Sequence, residues 1–223
     1  MLKVRKFPFI AVAVGLFFGA LIYIFAWSSI FSVSQLSITG APTKDSQDAI
    51  SNIAQIAVGE KIARVEPRAI SKRLHQLTWI KRASISRNWI NGDVTIAITP
   101  RVPTAFFNGK TIDASGAIFE LPGFSGSALP RVSAPSSALG LQAIAIFRTL
   151  PYDFRSQVTS LTAHNESNFS ISSRYQGRDL KILWGANEKS ALKMQVLKAL
   201  LALPENQKIR RVDLSAPHAP IVK

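Results

Sequence analysis

The chain of 223 residues contains no cysteine, which excludes a disulfide framework, a thiol nucleophile and a cysteine metal site. Histidine is nearly as scarce. His75, His164 and His218 lie far apart and lack the i, i+4 spacing that presents two imidazoles on one helix face. Each therefore reads as a surface or half-buried residue, and no metal is expected. No phosphate-cradling glycine loop is present. Asp113-Ala114-Ser115-Gly116 has an alanine where a paired-aspartate protease needs Ser or Thr, and the sequence holds no second copy to share a proton. It reads as a turn before a strand at Ala117–Glu120. Gly123–Ser127 lacks the closing glycine of a nucleophile elbow and reads as a loop. Asn165 and Asn168 each open a glycosylation-type triplet, a pattern too short to carry weight. The expectation is a protein that is not an enzyme, with no cofactor and no small-molecule substrate.

Acidic residues are few, 13 against 27 Lys and Arg, for a formal net charge of +14. The cations come in small groups (Lys61/Arg64, Arg68/Lys72/Arg73, Lys81/Arg82/Arg87, Lys208/Arg210/Arg211) rather than in one stripe interleaved with aromatics. That spread argues against a nucleic-acid partner. Diffuse positive charge suits anionic lipid headgroups or wall polymers better.

The first 44 residues have no acidic side chain, and residues 7–31 have no charge of either sign. An α-helix rising about 1.5 Å per residue crosses a bilayer core in ~20 residues, so this run predicts one membrane-spanning helix. Ala26-Trp27-Ser28 also fits a signal-peptidase site. The apolar run is longer than a signal core of roughly 7–15 residues, and Tyr23 and Trp27 suit an outer interface, which favours an uncleaved anchor. Lys3, Arg5 and Lys6 precede it, so the N-terminus is expected in the cytoplasm and residues after 31 outside. Membrane lipid is thus an expected partner through residues 7–31. Gly15 and Gly19 have the spacing of a close-packing helix motif.

Beyond the run, Phe31–Gly40 reads as a strand ended by a glycine turn. Asp45 is the expected cap of a helix carrying Ile50, Ile53, Ala54 and Ala57, stopped by Gly59. Pro67 opens a second helix with Ile70, Leu74 and Leu77 on one face. Trp79–Arg87, the turn signal Asn91-Gly92 and the alternating Val94, Ile96, Ile98 form a hairpin closed by Pro100. The order is β-α-α-β-β.

From Thr104 onward the pattern shifts to short strands at Thr104–Phe107, Lys110–Ile112, Val158–Ala163, Phe169–Ser173 and Asp179–Leu183. Helical spacing recurs at Ser137–Leu150 and Glu188–Leu203. In the latter, Leu192, Val196, Ala199, Leu200 and Leu203 form the expected apolar stripe while Lys189, Lys193 and Lys198 stay in water. Ile209–Leu214 is the expected closing strand.

The ordered set Val33-x-x-Leu36-x-Ile38-x-Gly40, Gly59-x-x-Ile62, Leu77-Thr78-Trp79-Ile80-x-x-Ala83-x-Ile85-x-Arg87-x-Trp89 and Arg101-x-Pro103 resembles the POTRA domain of the FtsQ/DivIB family of bacterial cell-division proteins. The resemblance continues through Ile112-Asp113-x-x-Gly116-x-Ile118-Phe119, Leu129-Pro130 and Val212-Asp213-Leu214-x-Ala216-Pro217. Two positions depart from it: Ile90, where members often have proline, and Pro100, where they have glutamate.

The resemblance implies an α+β architecture: a cytoplasmic tail (1–6), a transmembrane helix (7–31), a POTRA domain (32–100), and a mixed, mainly antiparallel β domain with two helices (101–223). It further implies a bitopic divisome scaffold at the septum that links septum assembly to peptidoglycan synthesis. Its expected partners are single-span coiled-coil proteins of the FtsB and FtsL type. Small mixed domains recognise partners by lending a sheet edge to an extended segment. The candidate edge is the last strand, Arg210, Arg211, Val212, Asp213, Leu214 and Ser215, with the two arginines facing acidic partner side chains and Val212 and Leu214 packed inward. A POTRA-bearing transport factor is the alternative, though such proteins carry several copies and a barrel. An exported enzyme or polymer binder is a third, with no site chemistry to support it.

Overall fold

A computed structural model of the chain describes residues 7–27, 31–126 and 128–223. The charged tail 1–6 and residues 28–30 lie outside the described residues. Helix α1 covers Phe7–Trp27, 21 residues without a charged side chain. At 1.5 Å per residue its backbone rises about 31 Å. Its side chains are described only over residues 11–24, and among the described residues no helix is long and apolar enough to cross a membrane.

The chain divides into two compact units, Met1–Pro100 and Arg101–Lys223. In the first, β1 (Gln35–Thr39), α2 (Lys44–Ala54), α3 (Pro67–Leu74), β2 (Ile80–Asn88) and β3 (Asp93–Pro100) give the expected β-α-α-β-β order. The sheet order is β1-β3-β2, with β1 parallel to β3 and β2 antiparallel to it. Val94, Ile96 and Ile98 of β3 are buried, as are Ile50 and Ala54 of α2, Ile70 and Leu74 of α3, and Trp79 just before β2. Arg87 donates to the carbonyls of Val65 (2.8 Å) and Ile62 (3.3 Å), tying the 3₁₀ turn Ile62–Arg64 to the end of β2.

Three local expectations change. Thr43, not Asp45, caps α2: its hydroxyl accepts from Ser46 N and Ser46 answers in a reciprocal box, leaving Asp45 in the first turn. The helix ends at Ala54, where Gln55 takes the left-handed conformation, so Ala57 and Gly59 lie beyond it. Leu77 follows α3 in a turn, half-buried.

The second unit is one nine-stranded sheet, ordered β12-β11-β10-β9-β8-β7-β4-β5-β6. Its strands are β4 (Ala105–Phe107), β5 (Lys110–Ile112), β6 (Ile118–Phe119), β7 (Arg131–Ser133), β8 (Val158–Asn165), β9 (Asn168–Tyr175), β10 (Arg178–Gly185), β11 (Arg211–Asp213) and β12 (Ile221–Val222). Its helices are α4 (Ser137–Thr149), α5 (Tyr152–Arg155) and α6 (Ser190–Ala202), one more among the described residues than the expected two. Strand β7 is parallel to both its neighbours. One core unites Ile144 and Ile146 of α4, Met194 and Leu197 of α6, and Leu161, Ile171, Ile182 and Val212 of the sheet. The Asp113 turn is also present. Asp113 salt-bridges Arg101 at 2.9 Å and its other oxygen accepts from Ser115 and Ala117.

Helix α6 corrects the expected stripe. Lys193 is 2% exposed and lies on the buried face with Met194 and Leu197, whereas Ala199 and Leu203 are exposed. A lysine can occupy this place because its stem is apolar and its ammonium finds two acceptors, the carbonyls of Trp184 (2.6 Å) and Ala186 (2.8 Å).

Candidate partner-binding site

The outer end of the nine-stranded sheet is made by β10, β11 and β12. In β11, Val212 and the following Leu214 are fully buried, and Arg210, Arg211 and Ser215 are exposed. The inward–outward alternation expected for Arg210–Ser215 is therefore present. Asp213 Oδ1 accepts from Ser215 N (2.9 Å) and Oγ (2.6 Å), which closes the strand in a turn. Gly185, with φ +72°, sits against that turn; a Cβ there would fall 2.8 Å from Ser215 Cα.

The expected edge is displaced by one strand. Ile221–Val222 pairs antiparallel with β11, Val212 opposite Val222, so β12 is outermost and β11 lies between β10 and β12. Ile221 and Val222 are a β-branched pair after Pro220, a signal too short to read as a strand from the sequence.

Arg211 and Lys223 exchange backbone bonds at 3.0 and 2.9 Å. By the alternation of an antiparallel ladder, Val212 turns its N–H and C=O toward β10, and Val222 turns its own away from β11. Proline at 212 would thus break the β10–β11 ladder inside the domain rather than an outer contact. Proline at 222 acts on the outward side.

The electrostatics of this end are one-sided. Lys181 and Arg211 are register partners on parallel strands, and Arg210 and Lys223 stand beside them. Among the described residues neither Arg210 nor Arg211 has an ion-pair partner. The nearby carboxylate, Asp213, is engaged by Ser215. Cations next to an outermost strand suit an extended segment bearing acidic side chains. Beneath it, Lys193 braces the β10 end. Burial holds its ammonium below the ordinary lysine range, against the opposing charge of Glu188 and aided by Lys189. No group of His, Asp and Glu among the described residues is arranged to hold a metal ion.

Comparison with known proteins gives two family matches. Residues 31–101 match the POTRA domain, FtsQ-type, and residues 101–215 match the cell division protein FtsQ/DivIB, C-terminal. A cell division protein FtsQ of Streptomyces bingchenggensis is 26% identical over 228 residues, covering 95% of this chain and 83% of that protein. One from Mycobacteroides abscessus is 28% identical over 219 residues, covering 95% of this chain and 66% of that protein. One from Streptomyces griseus is 26% identical over 214 residues, covering 87% of this chain and 98% of that protein.

Proposed function

Because the chain belongs to the FtsQ/DivIB family of cell-division proteins, we propose that it is a non-catalytic, bitopic scaffold of the bacterial divisome. Residues 7–31 anchor it, with residues 1–6 in the cytoplasm and both folded units outside. The support is the uncharged 21-residue helix Phe7–Trp27 and the three cations before it. The C-terminal unit binds FtsB-type and FtsL-type single-span partners, and by holding them at the septum it links division to peptidoglycan synthesis.

The observation that carries the binding mode is the outermost strand of two residues, β12, beside a row of cations. An incoming partner strand extends the sheet past Val222, main-chain bonds give affinity, and Arg210 and Arg211 select acidic side chains. Val212 and Leu214 hold β11 to the core, and Asp213 and Ser215 fix the strand's end.

The test is affinity purification of the full-length protein from bacterial membranes, followed by mass spectrometry, beside the variants Val222→Pro and Arg210→Glu/Arg211→Glu. Small single-span coiled-coil division proteins are expected with the wild type, reduced severalfold with either variant. Equal recovery by a folded Val222→Pro protein would exclude strand addition at this edge.

A further inference from the structure

The 31–100 unit carries an apolar tip that its core does not use. In the β2–β3 hairpin loop, Ile90 is 94% exposed and Trp89 38%, and on a second loop Val58 is 69% exposed. Single exposed apolar residues are ordinary, but a group of them at one end of a small unit marks a contact. Backbone bonds show that this is one end. Ser34 N donates to Gly92 O (2.8 Å), Val33 N to Glu60 O (2.7 Å), and Gly59 N to Val33 O (2.8 Å). The hairpin loop and the 58–61 loop thus both fasten to the segment 32–34, where the chain enters the unit. The Phe31 ring meets that of Trp89 edge-on at 6.5 Å.

The tip is also built to enter a medium poor in hydrogen-bonding groups. The Asn88 side chain accepts from Ile90 N (3.0 Å) and Asn91 N (3.3 Å), and its carbonyl accepts from Gly92 N (2.9 Å). The backbone donors of Ile90, Asn91 and Gly92 are therefore bonded internally, and the most exposed side chain of the loop is isoleucine. Arg87, whose guanidinium lies 5.2 Å from the Trp89 ring centre, supports the tryptophan from behind.

Covalent reach supplies the occupant. Only residues 28–30 separate Trp27, the last residue of α1, from Phe31. Four residue steps span at most about 14 Å, on the order of the ~5–8 Å depth of an interfacial layer plus one loop. With α1 as the anchor, the end of the unit holding Trp89, Ile90 and Val58 is tethered at the lipid interface, where tryptophan and exposed aliphatic side chains partition favourably.

We infer that Trp89 and Ile90, with Val58 on the neighbouring loop, insert into the lipid interface and dock the POTRA-type unit against the membrane. This rests on the anchor reading above. Docking fixes the unit's tilt, so partners meet it in a restricted orientation rather than on a free swivel. Ile90 gives the loop an aliphatic point where a proline would present less apolar surface.

The absence of cysteine makes the test clean. A single cysteine bearing a nitroxide is placed in the full-length protein, reconstituted in vesicles of phosphatidylethanolamine and phosphatidylglycerol, at Val14, Val58, Ile90 or Gln76. Accessibility to oxygen and to a nickel chelate is then read by electron paramagnetic resonance. Val14 reports the anchor, Ile90 and Val58 the tip, and Gln76 the opposite end of the unit. The expected result is an oxygen-to-nickel ratio severalfold higher at Ile90 and Val58 than at Gln76, with Ile90→Asp returning the Val58 label toward the Gln76 value.

A lipid-like ratio at Val14 with water-like ratios at Ile90 and Val58 overturns the docking and leaves the anchor standing. A water-like ratio at Val14 removes both. Labels at the tip shielded from both reagents mean that protein, not lipid, covers it, and overturn the proposal as well.

Discussion

The two folded units end in different ways but brace those ends by the same device. In the 31–100 unit, Gly92 at φ +75° lies against the Ser32–Ser34 backbone, and Arg87 donates to two carbonyls while stacking on Trp89. In the 101–223 unit, Gly185 at φ +72° lies against Ser215, and Lys193 donates to two carbonyls while lying 5.7 Å from the Trp184 ring centre. A glycine allows two backbones to touch, and a cation beside an indole donates to two backbone carbonyls of the adjoining segment. What is presented differs: an apolar hairpin tip in one unit, a cationic strand end in the other. The cations differ too. Arginine remains charged, whereas the buried ammonium of Lys193 is held below its usual range by loss of water.

Removing the buried member should do the most damage. Lys193→Ala takes the ammonium away from the Trp184 carbonyl, leaves the Ala186 carbonyl with the Glu188 N–H (2.8 Å) alone and opens space beneath α6, a loss of about 3 kcal/mol. Hydrogen exchange on the full chain is expected to accelerate in β10, β11 and α6 and to stay unchanged in 31–100. Uniform acceleration across both units would break the parallel. Next in size are the glycines. Gly92→Ala and Gly185→Ala each force a side chain into a left-handed backbone against a crossing strand, a strain of about 2 kcal/mol. Each should lower the melting temperature and loosen only its own end, Gly92→Ala at the tip and Gly185→Ala at Arg211–Ser215.

The same contrast explains what the sequence made readable. The 31–100 sheet contains a hairpin of neighbours: Asn91-Gly92 marks the turn, and Val94, Ile96 and Ile98 alternate on a strand long enough to show a period. Its misplaced details are terminal ones, the Thr43–Ser46 box and the left-handed Gln55, decided by one or two hydrogen bonds. The nine-stranded sheet closes through short distant pieces. Strand β7 is three residues set parallel between β4 and β8, and β12 is two residues beyond a proline, so neither is long enough to carry a pattern. That is why the alternation of Arg210–Ser215 was legible while the strand outside it was not. Lys193 was misplaced for another reason. Charge predicts water, but the carbonyls that receive its ammonium come from a strand end nine and seven residues away.

A smaller change sharpens the comparison from the other side. Arg87→Lys keeps a cation but has a shorter reach and no planar guanidinium, so the bonds that Nη1 makes to the carbonyls of Ile62 and Val65 lengthen and the stacking on Trp89 weakens. The expected loss is about 1 kcal/mol, seen as faster exchange at Ile62–Val65 and a red-shifted Trp89 emission. An unchanged protein would mean that the guanidinium does not brace the tip.

The finest distinction is in pH. Lys193 binds its proton less tightly when folded than when unfolded. Between its lowered folded value and the ordinary 10.5 of an exposed lysine, the unfolded chain holds more protons, so stability rises with pH across that window. Below the window both states are protonated and the full penalty of burying the charge is present; above it the penalty is gone, and the neutral amine still donates to both carbonyls. Subtracting the Lys193→Met melting curve from that of the wild type, pH by pH, isolates the effect. A difference that grows in favour of the wild type as the solution becomes alkaline assigns the slope to Lys193. A flat difference would mean that its two carbonyls stabilise the ammonium as fully as water does, and the bracing cations of the two units would then be equivalent in charge as well as in place.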